Sequence, residues 1–326
     1  MKLRIATRSS NLALVQTRWV GRQLQKHFPE LTIEEVHVVP KGDRIQDRPL
    51  AQIGGKGLFV SEVEAVVVRG EADFAVHSLK DVPGDVPLAE GMGILSVPVR
   101  EDPRDVLVTV DGTDLASLPS GARVGTTSRR RIVQLLRARP DLAFLPMRGN
   151  IDTRLRKLRE GRCDAIVLAA AGLSRAGLLD QVPHEVLSPD LCLPAVGQGA
   201  LAIEGSLSDD VLQGQLKTIE DSIARIEITA ERTMLQKLEG SCHSPIAGHA
   251  TIGDGRIKLE GLVASYDGDQ LLTATSDRYM EPGLPDAVER AHALGVEVAE
   301  QLLESGARDL IRQAELAVVQ GQLTAN

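Results

Sequence analysis

Two spacings of apolar residues alternate along the first half of the chain. Short apolar runs typical of buried strands lie at 2–7, 33–39, 74–79, 105–110, 122–125, 143–147 and 164–169. Between them, apolar positions recur with the helical period at 10–28, 58–69, 128–138 and 151–160. This alternation of strand and helix predicts an α/β fold, and its restart at 105 predicts two βα domains.

Two segments rich in proline or glycine predict the crossings between these domains. Residues 98–104, VPVREDP, carry two prolines among mixed charges. Residues 193–200, LPAVGQGA, precede an apolar run at 200–203 that can return to the first domain as a further strand. We therefore expect βα domain 1 at 1–100, completed by about 197–216, and βα domain 2 at 101–196.

The last third of the chain has a different pattern. After about residue 216 it predicts a long helix ending near Leu238, two strands at 257–264 and 270–276, and helices at 284–304 and 307–319. Strands followed by helices are typical of an α+β arrangement. We expect residues 217–326 to form a small α+β C-terminal domain.

Composition narrows the class of partner. The net charge of the 326 residues is −8 and only 2% of them are aromatic, which disfavours a basic surface for nucleic acid and a platform for stacked bases. The first residues lack the apolar core of a signal peptide, and no stretch approaches the roughly twenty apolar residues of a membrane span. We expect a cytoplasmic protein without nucleic-acid or membrane partners, and a monomer because no exposed apolar helix stands out.

The three cysteines, Cys163, Cys192 and Cys242, stand far apart and show no metal-ligand spacing, so we expect neither disulfides nor a metal site. Cys242 differs from the others because it lies in a turn rich in glycine, serine and proline, LEGSCHSPIAG at 238–248. A cysteine in a polar turn suits a nucleophile or a covalent attachment point, although most cysteines are small buried hydrophobes. The residues alone leave both interpretations open.

Positive charge is concentrated at 121–162, where twelve basic and three acidic residues give a net charge of +9. Eleven of the twelve are arginines, whose planar guanidinium groups suit bidentate recognition of carboxylate or phosphate. We expect anion binding by four of them that lie at strand ends or helix starts, namely Arg130, Arg131, Arg148 and Arg154. The cations later in the two helices, Arg139 among them, are expected on solvated faces.

Two strand-to-helix turns combine hydroxyl side chains with arginine, ATRSSN at 6–11 and GTTSRRR at 125–131. A helix N-terminus presents unpaired N–H groups and a partial positive charge, so such a turn can bind a carboxylate or a phosphate. The alternative is that the hydroxyl groups only cap the helices. The repetition of the arrangement favours an anion site.

The strand within DFAVHSLKDVP, 73–83, ends in an adjacent charged pair, Lys80 and Asp81. At the carboxyl end of a strand both side chains reach the same crevice, where lysine suits an anionic substituent and aspartate suits a cation or a proton transfer. The alternative is a surface ion pair of little energetic value. His77, inside the apolar run, is expected to be a core residue.

Residues 41–59 are rich in glycine and charge and show no periodicity. Such a segment is either a mobile lid, here with Lys56 and Phe59, or a disordered connection. Its GGKG, 54–57, lacks the full spacing of a nucleotide-binding P-loop.

Nine segments together resemble the hydroxymethylbilane synthase, or porphobilinogen deaminase, family along nearly the whole chain. They are IATRSSNLAL (5–14), GDRIQDRPLAQIGGKGLF (42–59), AVHSLKDVP (75–83), REDPRDV (100–106), GTTSRRR (125–131), MRGNIDTRL (147–155), DAIVLAAAGLSR (164–175), LPAVGQGAL (193–201) and ERTMLQKLEGSCHSPI (231–246). The resemblance implies two domains like those of periplasmic binding proteins, facing each other across a cleft. It also implies an α+β C-terminal domain that presents Cys242.

For the site, the resemblance implies a dipyrromethane cofactor joined to Cys242 by a thioether, and Asp81 as the catalytic carboxylate. The residues implied to bind acetate and propionate groups of cofactor and substrate are Arg8, Ser10, Arg130, Arg131, Arg148, Arg154 and Arg175, assisted by Lys80, Thr126, Thr127 and Ser128. The implied reaction joins four porphobilinogen molecules head to tail, each of which would lose ammonia to give a cationic azafulvene that the terminal pyrrole attacks. Water would then release hydroxymethylbilane, and the cofactor would stay.

The chain departs from the family pattern at a few positions. Arg129 stands where leucine is usual, Ser244 where a β-branched residue commonly precedes proline, and Pro40-Lys41 where Thr-Arg is frequent. The first of these leaves open which of the three consecutive arginines, 129–131, point into the cleft.

Two other classes of function compete with this one. A two-domain cleft also serves non-enzymatic proteins that bind small anions. The missing signal peptide, and Cys242 with Asp81 as reactive groups, weigh against that class. An arginine-rich nucleic-acid binder is disfavoured by the net charge and the low aromatic content.

Overall fold

A computed structural model describes residues 2–39, 58–240, 244–281 and 283–319. The strands are β1 (Lys2–Arg8), β2 (Thr32–Val38), β3 (Phe74–Ser78), β4 (Met92–Ser96), β5 (Asp105–Thr109), β6 (Arg123–Gly125), β7 (Ala143–Leu145), β8 (Ala165–Ala169), β9 (His184–Val186), β10 (Leu201–Ser206), β11 (Ile246–Gly253), β12 (Arg256–Ala264) and β13 (Leu271–Tyr279). The α-helices are α1 (Asn11–His27), α2 (Leu58–Val68), α3 (Arg129–Ala138), α4 (Ile151–Arg159), α5 (Ala170–Arg175), α6 (Asp210–Lys217), α7 (Ser222–Leu238), α8 (Ala287–Glu304) and α9 (Ala307–Val319).

Two five-stranded mixed sheets share one strand arrangement. The first has the order β2-β1-β3-β10-β4 and the second the order β7-β6-β8-β5-β9. In each, three strands run parallel and the fourth, β10 or β5, runs antiparallel to its neighbours. The third sheet, β11-β12-β13, is antiparallel, with α7 and α8 packed on it. The predicted α/β class with a small α+β C-terminal unit is confirmed.

Both antiparallel strands enter their sheets from chain crossings. The first crossing, residues 97–104, leads from β4 into β5, and the second crossing, residues 187–200, leads from β9 into β10. Asp105 at the start of β5 lies opposite Ala169 at the end of β8, and Leu201 at the start of β10 lies opposite Ser78 at the end of β3. The crossings therefore meet both sheets at the carboxyl ends of parallel strands, where ligands bind in α/β folds.

Apolar periodicity explains the core of the first sheet. Ile5 and Phe74 are fully buried and paired across β1 and β3. Val20 and Leu24, four residues apart on one face of α1, are also fully buried and belong to the same core cluster. At about 25 cal/mol per Å² of apolar surface, burial of each such side chain contributes roughly 1.5–3 kcal/mol.

Two predicted features differ in the structure. The helix expected from about residue 216 begins at Ser222, because Asp221 caps it by accepting from the N–H of Ala224, and the preceding α6 is a separate helix. Arg139, expected on a solvated face, donates to the carbonyl oxygens of Leu115, Ala116 and Leu118 and pairs with Asp141, so it fastens a neighbouring loop.

Among the described residues, no helix combines the length and the hydrophobicity that crossing a membrane requires.

Candidate active site

Most of the described residues that the sequence analysis singled out lie after the carboxyl ends of the parallel strands in the two mixed sheets. Arg8 is the last residue of β1, and Lys80 and Asp81 lie in a single 3₁₀ turn, Leu79–Asp81, directly after β3. In the second sheet, residues 126–128 follow β6, Arg148 and Arg154 follow β7, and Arg175 ends the helix after β8. Parallel pairing brings these ends to one edge of each sheet.

The charged pair after β3 does not form an ion pair. Lys80 is half-buried, and its Nζ donates a hydrogen bond to Oε1 of Gln198 at 3.1 Å. Asp81 is exposed, and no cation of the described residues lies within ion-pair distance of it. Burial, reinforced by the charge of Arg131, lowers the pKa of Lys80 to about 8. The surface ion pair considered as an alternative is thus not observed.

Asp105, which the sequence analysis did not single out, is the centre of a buried ion cluster. Its side chain is fully buried, with Oδ2 2.7 Å from Nη2 of Arg130 and Oδ1 2.7 Å from Nη2 of Arg131. Oδ1 also accepts from Nε2 of Gln198 at 2.9 Å. Burial alone would raise the pKa of Asp105, but the two guanidinium groups lower it well below its usual range. The carboxylate is therefore ionised and neutralises part of the arginine charge.

The three consecutive arginines point in different directions. The guanidinium group of Arg129 lies 3.8 Å above the ring centroid of Tyr266, in the hairpin between β12 and β13, where it makes a cation–π contact. Arg130 and Arg131 are 5% and 6% exposed and turn inward to Asp105. Arg129 is thus engaged with the C-terminal unit, and the other two line the junction of the mixed sheets.

Two other arginines at this edge, Arg154 and Arg175, have no carboxylate within ion-pair distance among the described residues. Nε of Arg154 donates to the carbonyl oxygen of Gly149 at 2.8 Å, and Nη2 of Arg175 donates to that of Gly199 at 2.8 Å. Neither guanidinium group lies within ion-pair distance of an acid among the described residues. Burial lowers the pKa of both groups to about 10, and for Arg154 the charges of Arg131 and Arg148 contribute.

Some hydroxyl groups of the two strand-to-helix turns cap a helix, and others do not. Ser10 is the N-cap of α1, and its side chain accepts from the N–H of Ala13 at 3.4 Å. Ser128 occupies the N-cap position of α3 but makes no side-chain capping bond. Thr126 is buried and its Oγ1 accepts from the N–H of Ser128 at 3.2 Å, whereas Thr127 is exposed. The capping alternative therefore holds for Ser10.

Three predicted site residues lie wholly or partly outside the residues that the structure describes. Cys242 and Lys56 lie outside the described residues. Phe59 belongs to the first turn of α2, but its side chain is also outside the described part of the structure.

Cys163 and Cys192 are buried free thiols, in agreement with the expectation of unpaired cysteines. His77 is a buried core residue, as predicted, and its Nε2 contacts Oε2 of Glu204 at 2.8 Å.

Comparison with known proteins identifies the family of this chain. A model of the dipyrromethane cofactor-binding domain of porphobilinogen deaminase matches residues 3–214, and a model of the C-terminal domain of porphobilinogen deaminase matches residues 225–304. The chain belongs to the porphobilinogen deaminase family. Its relatives named porphobilinogen deaminase include one from Brevibacillus brevis, 47% identical over 96% of this chain and 97% of that protein. Another, from Sorangium cellulosum, is 49% identical over 91% of this chain and 98% of that protein.

Solved structures that this chain loosely resembles include a periplasmic domain and a periplasmic binding protein. The periplasmic BvgS VFT2 domain of Bordetella pertussis has a TM-score of 0.39 and 18% identity, covering 67% of this chain and 86% of that one. The aliphatic sulphonate binding protein SsuA of Escherichia coli has a TM-score of 0.37 and 16% identity, covering 73% and 69%. These likenesses are too loose to bear on function.

The charge of the site fits the cofactor of the porphobilinogen deaminase family. Arg154 and Arg175 keep half-buried guanidinium groups with no acid within ion-pair distance in the described part of the chain, an arrangement that costs free energy unless an anion binds there. The implied cofactor and substrate carry acetate and propionate groups, which are such anions. The residues present therefore suit a carboxylated pyrrole ligand.

Sequence reasoning missed three residues that this family member brings to the site. They are Asp105 at the start of β5, Gln198 in the second crossing, and Arg232 of α7, whose Nη1 and Nη2 donate to the carbonyl oxygens of Val82 and Pro83 just after Asp81. All three lie in segments that carry the family resemblance. Asp105 could also have been found from its predicted position at a strand end next to the first crossing.

Proposed function

We propose that this chain deaminates porphobilinogen and joins four molecules of it head to tail on a dipyrromethane cofactor bound between the two mixed sheets, and then releases hydroxymethylbilane. The observation that carries the proposal is an excess of half-buried cations around one exposed carboxylate. Electrostatic effects couple Arg154 to Arg131, Arg148 and Asp81, and couple Lys80 to Arg131 and Asp81, so these groups share one space. A ligand with many carboxylates is what such a space stabilises.

Cations from both mixed sheets would bind the carboxylates of the ligand. Arg148, Arg154 and Arg175 in the second sheet, with Arg8 and Lys80 in the first, would bind acetate and propionate groups of cofactor and substrate. Thr126, Thr127, Ser128 and Ser10 would add hydroxyl and N–H donors at the two helix N-termini. When bound, the dipyrromethane supplies the free pyrrole carbon to which the first substrate is joined.

Arg130 and Arg131 would pair with Asp105 and also bind carboxylates of the ligand. Their ion pairs with Asp105 use Nη2 of each and Nε of Arg131, and Nη1 of Arg131 donates to the carbonyl oxygen of Val167 at 2.8 Å. A guanidinium group has five N–H donors, so Arg131 keeps donors for a ligand carboxylate. Asp105 would then orient both guanidinium groups while neutralising only part of their charge.

Asp81 is the proposed catalytic carboxylate. Ammonia leaves the aminomethyl carbon of the substrate, a carbon–carbon bond forms between that carbon and the pyrrole carbon of the growing chain, and this pyrrole carbon loses its proton. The carboxylate of Asp81 is exposed and has no ion-pair partner among the described residues, so it can stabilise the positive charge that develops as ammonia leaves and can accept a proton afterwards. Arg232 supports this assignment, because it fastens the main chain directly after Asp81.

The organisation of the chain is part of the proposal. We infer a first βα domain at 1–100 completed by about 197–216, a second at 101–196, and a cofactor-attachment domain at 217–326, consistent with three separate sheets. Cys242 is assigned to the thioether because the segment 231–246 resembles the family's cofactor-attachment segment. The monomeric state, the cytoplasmic location and the lack of nucleic-acid partners stay predictions, which sedimentation, fractionation and a DNA-binding titration at varied salt would test.

The attachment is tested by the intact mass of protein expressed in cells that make porphobilinogen. The wild type should exceed its sequence mass by one dipyrromethane unit, and Cys242→Ser should match its bare sequence. Cys163→Ser, which changes a buried thiol of the second βα unit, is the control and should keep the added mass. If the wild type has only its sequence mass and gains none on adding porphobilinogen, a non-covalent anion-binding function replaces this proposal.

A further inference from the structure

Gln198 lies where the two mixed sheets and both crossings meet, and only 1% of its surface is exposed. Its Oε1 accepts a hydrogen bond from Nζ of Lys80 at 3.1 Å. Its Nε2 donates to Oδ1 of Asp105 at 2.9 Å and to the carbonyl oxygen of Pro103 at 2.6 Å. One side chain therefore joins the turn after β3 in the first sheet to the start of β5 in the second.

The contacts fix the orientation of this amide. Nε2 faces two acceptors, a carboxylate and a carbonyl oxygen, whereas Oε1 faces an ammonium group, which can only donate. A flipped amide would set its NH₂ group against the ammonium group of Lys80 and its oxygen against the carboxylate of Asp105. The amide of Gln198 therefore holds Lys80 in a single defined direction.

The main chain at Gln198 is held as firmly as the side chain. Nε of Arg100 donates to the carbonyl oxygen of Gln198 at 3.0 Å, and Oε2 of Glu231 accepts from the N–H of Gly197 at 2.7 Å. Arg100 and Glu231 are themselves a buried ion pair, with Nη1 and Oε1 2.7 Å apart. Gln198 is thus presented by a junction tied to α7, and such rigid support is what a positioning role requires.

Lys80 and Asp81 are adjacent in sequence, yet the ammonium group bonds to Gln198 and not to the carboxylate. We propose that Gln198 is a positioning residue that holds the ammonium group of Lys80 apart from Asp81 and directs it, beside Arg131, toward the carboxylates of the ligand. The inference rests on the proposed function, which assigns binding to Lys80 and catalysis to Asp81. Without Gln198 the ammonium group of Lys80 and the carboxylate of Asp81 are free to pair with each other. Lys80 is then no longer available to bind the ligand, and Asp81 is no longer available for catalysis.

The charged groups around Lys80 define how it titrates. They are Asp81 in its own turn, Asp105 on β5, and Arg130 and Arg131 on α3. Because burial and Arg131 lower the pKa of Lys80 to about 8, its charge is lost on the alkaline side of neutrality. A carboxylate at position 198 would oppose that loss.

A double-mutant cycle on the cofactor-loaded enzyme tests the proposal. We would measure kcat/KM for porphobilinogen in Gln198→Met, Lys80→Met and the double variant. Gln198→Met alone should lower kcat/KM by about 10- to 100-fold, the range for a hydrogen bond to a charged group. In the Lys80→Met background the same change should have almost no effect, because Gln198 acts through Lys80.

Gln134→Met is the matched control. Gln134 is also buried, at 6% exposed, but its amide bonds the main chain of Leu193 and Arg130 and has no bond to Lys80. Its effect on kcat/KM should therefore be the same with and without Lys80. A melting temperature measured for every variant separates loss of structure from loss of positioning.

Gln198→Glu adds a readout that a purely structural role would not move. The new carboxylate keeps an acceptor for Lys80 and should shift the alkaline limb of the kcat/KM profile to higher pH by about 1 unit or more. The positioning role is overturned if Lys80→Met impairs the enzyme but the effects of Gln198→Met and Lys80→Met on kcat/KM simply multiply and Gln198→Glu leaves the alkaline limb of the profile where it was. An unimpaired Lys80→Met would instead overturn the proposed role of Lys80, and the inference with it.

Discussion

Removing the charge of Asp105 should destabilise the protein more than any comparable change in an exposed ion pair. Asp105→Asn keeps the shape of the side chain but leaves Arg130 and Arg131, both buried, without their shared carboxylate. Removing one partner of a buried ion pair costs about 3–5 kcal/mol, because an uncompensated charge stays in the interior. Since 1 kcal/mol corresponds to roughly 2–4 °C in larger domains, the melting temperature should fall by about 10 °C.

The assay is thermal unfolding followed by circular dichroism at pH 7, with Asp141→Asn as the matched control. Asp141 also pairs with an arginine, Arg139, at 2.8 Å, but its side chain is 33% exposed. Exposed pairs contribute little, so this control should melt within about 2 °C of the wild type. Equal melting temperatures for the two variants would refute the account of the buried cluster.

The pH dependence gives an independent check. Because the pKa of Asp105 is lowered on folding, its stabilisation is fully present above the unfolded pKa of about 3.9 and is lost as the pH falls below it. The difference in melting temperature between wild type and Asp105→Asn should therefore be constant between pH 5 and 7 and shrink below about pH 4. A difference that persists unchanged at pH 3 would show that the charge is not its cause.

Three further predictions address the site and its surroundings. Asp81→Asn should lower kcat by at least about 100-fold without changing the melting temperature, because the carboxylate is exposed; steady-state kinetics and a melting curve check both. Burial raises the pKa of Glu64 from 4.5 to about 7, so the protein loses stability as the pH rises through that interval. The melting temperature of Glu64→Gln, relative to that of the wild type, should therefore increase from pH 5 to pH 7. A difference that does not depend on pH would contradict this. Gly199→Ala should cost about 2–4 kcal/mol in urea unfolding, because φ is +88° and a Cβ would overlap the carbonyl oxygen of Glu101, whereas Gly177→Ala, with φ +68° and open space, should cost about 1 kcal/mol.

Local signals in the sequence located many of the elements. The helix predicted at 10–28 is α1, Asn11–His27, and the helix predicted at 151–160 is α4, Ile151–Arg159. Both have a strong apolar period and a side chain that caps the first turn, Ser10 or Asn150. Such signals act within a few residues, so they can be read before any contact is known.

Elements without a local signal were missed. β11, Ile246–Gly253, contains mostly small residues and was included in a turn, yet its residues 246–250 are buried. It is a strand because it pairs with β12 along its whole length and packs on α7. β4 and β9 are likewise short strands at the ends of their sheets, completed by neighbours that arrive from distant parts of the chain.

The sequence alone determined the alternation of strands and helices and the position of Lys80, Asp81 and the arginines at strand ends, because both follow from periodicity and residue type. Only the tertiary structure decided which charges are neutralised and which stay available. Asp105 meets Arg131 across 26 positions and Gln198 meets Lys80 across 118, while Asp81 forms no ion pair with the adjacent Lys80. Hydrogen bonds and Coulomb energies depend on distance in space and on burial, and neither quantity is set by separation along the chain.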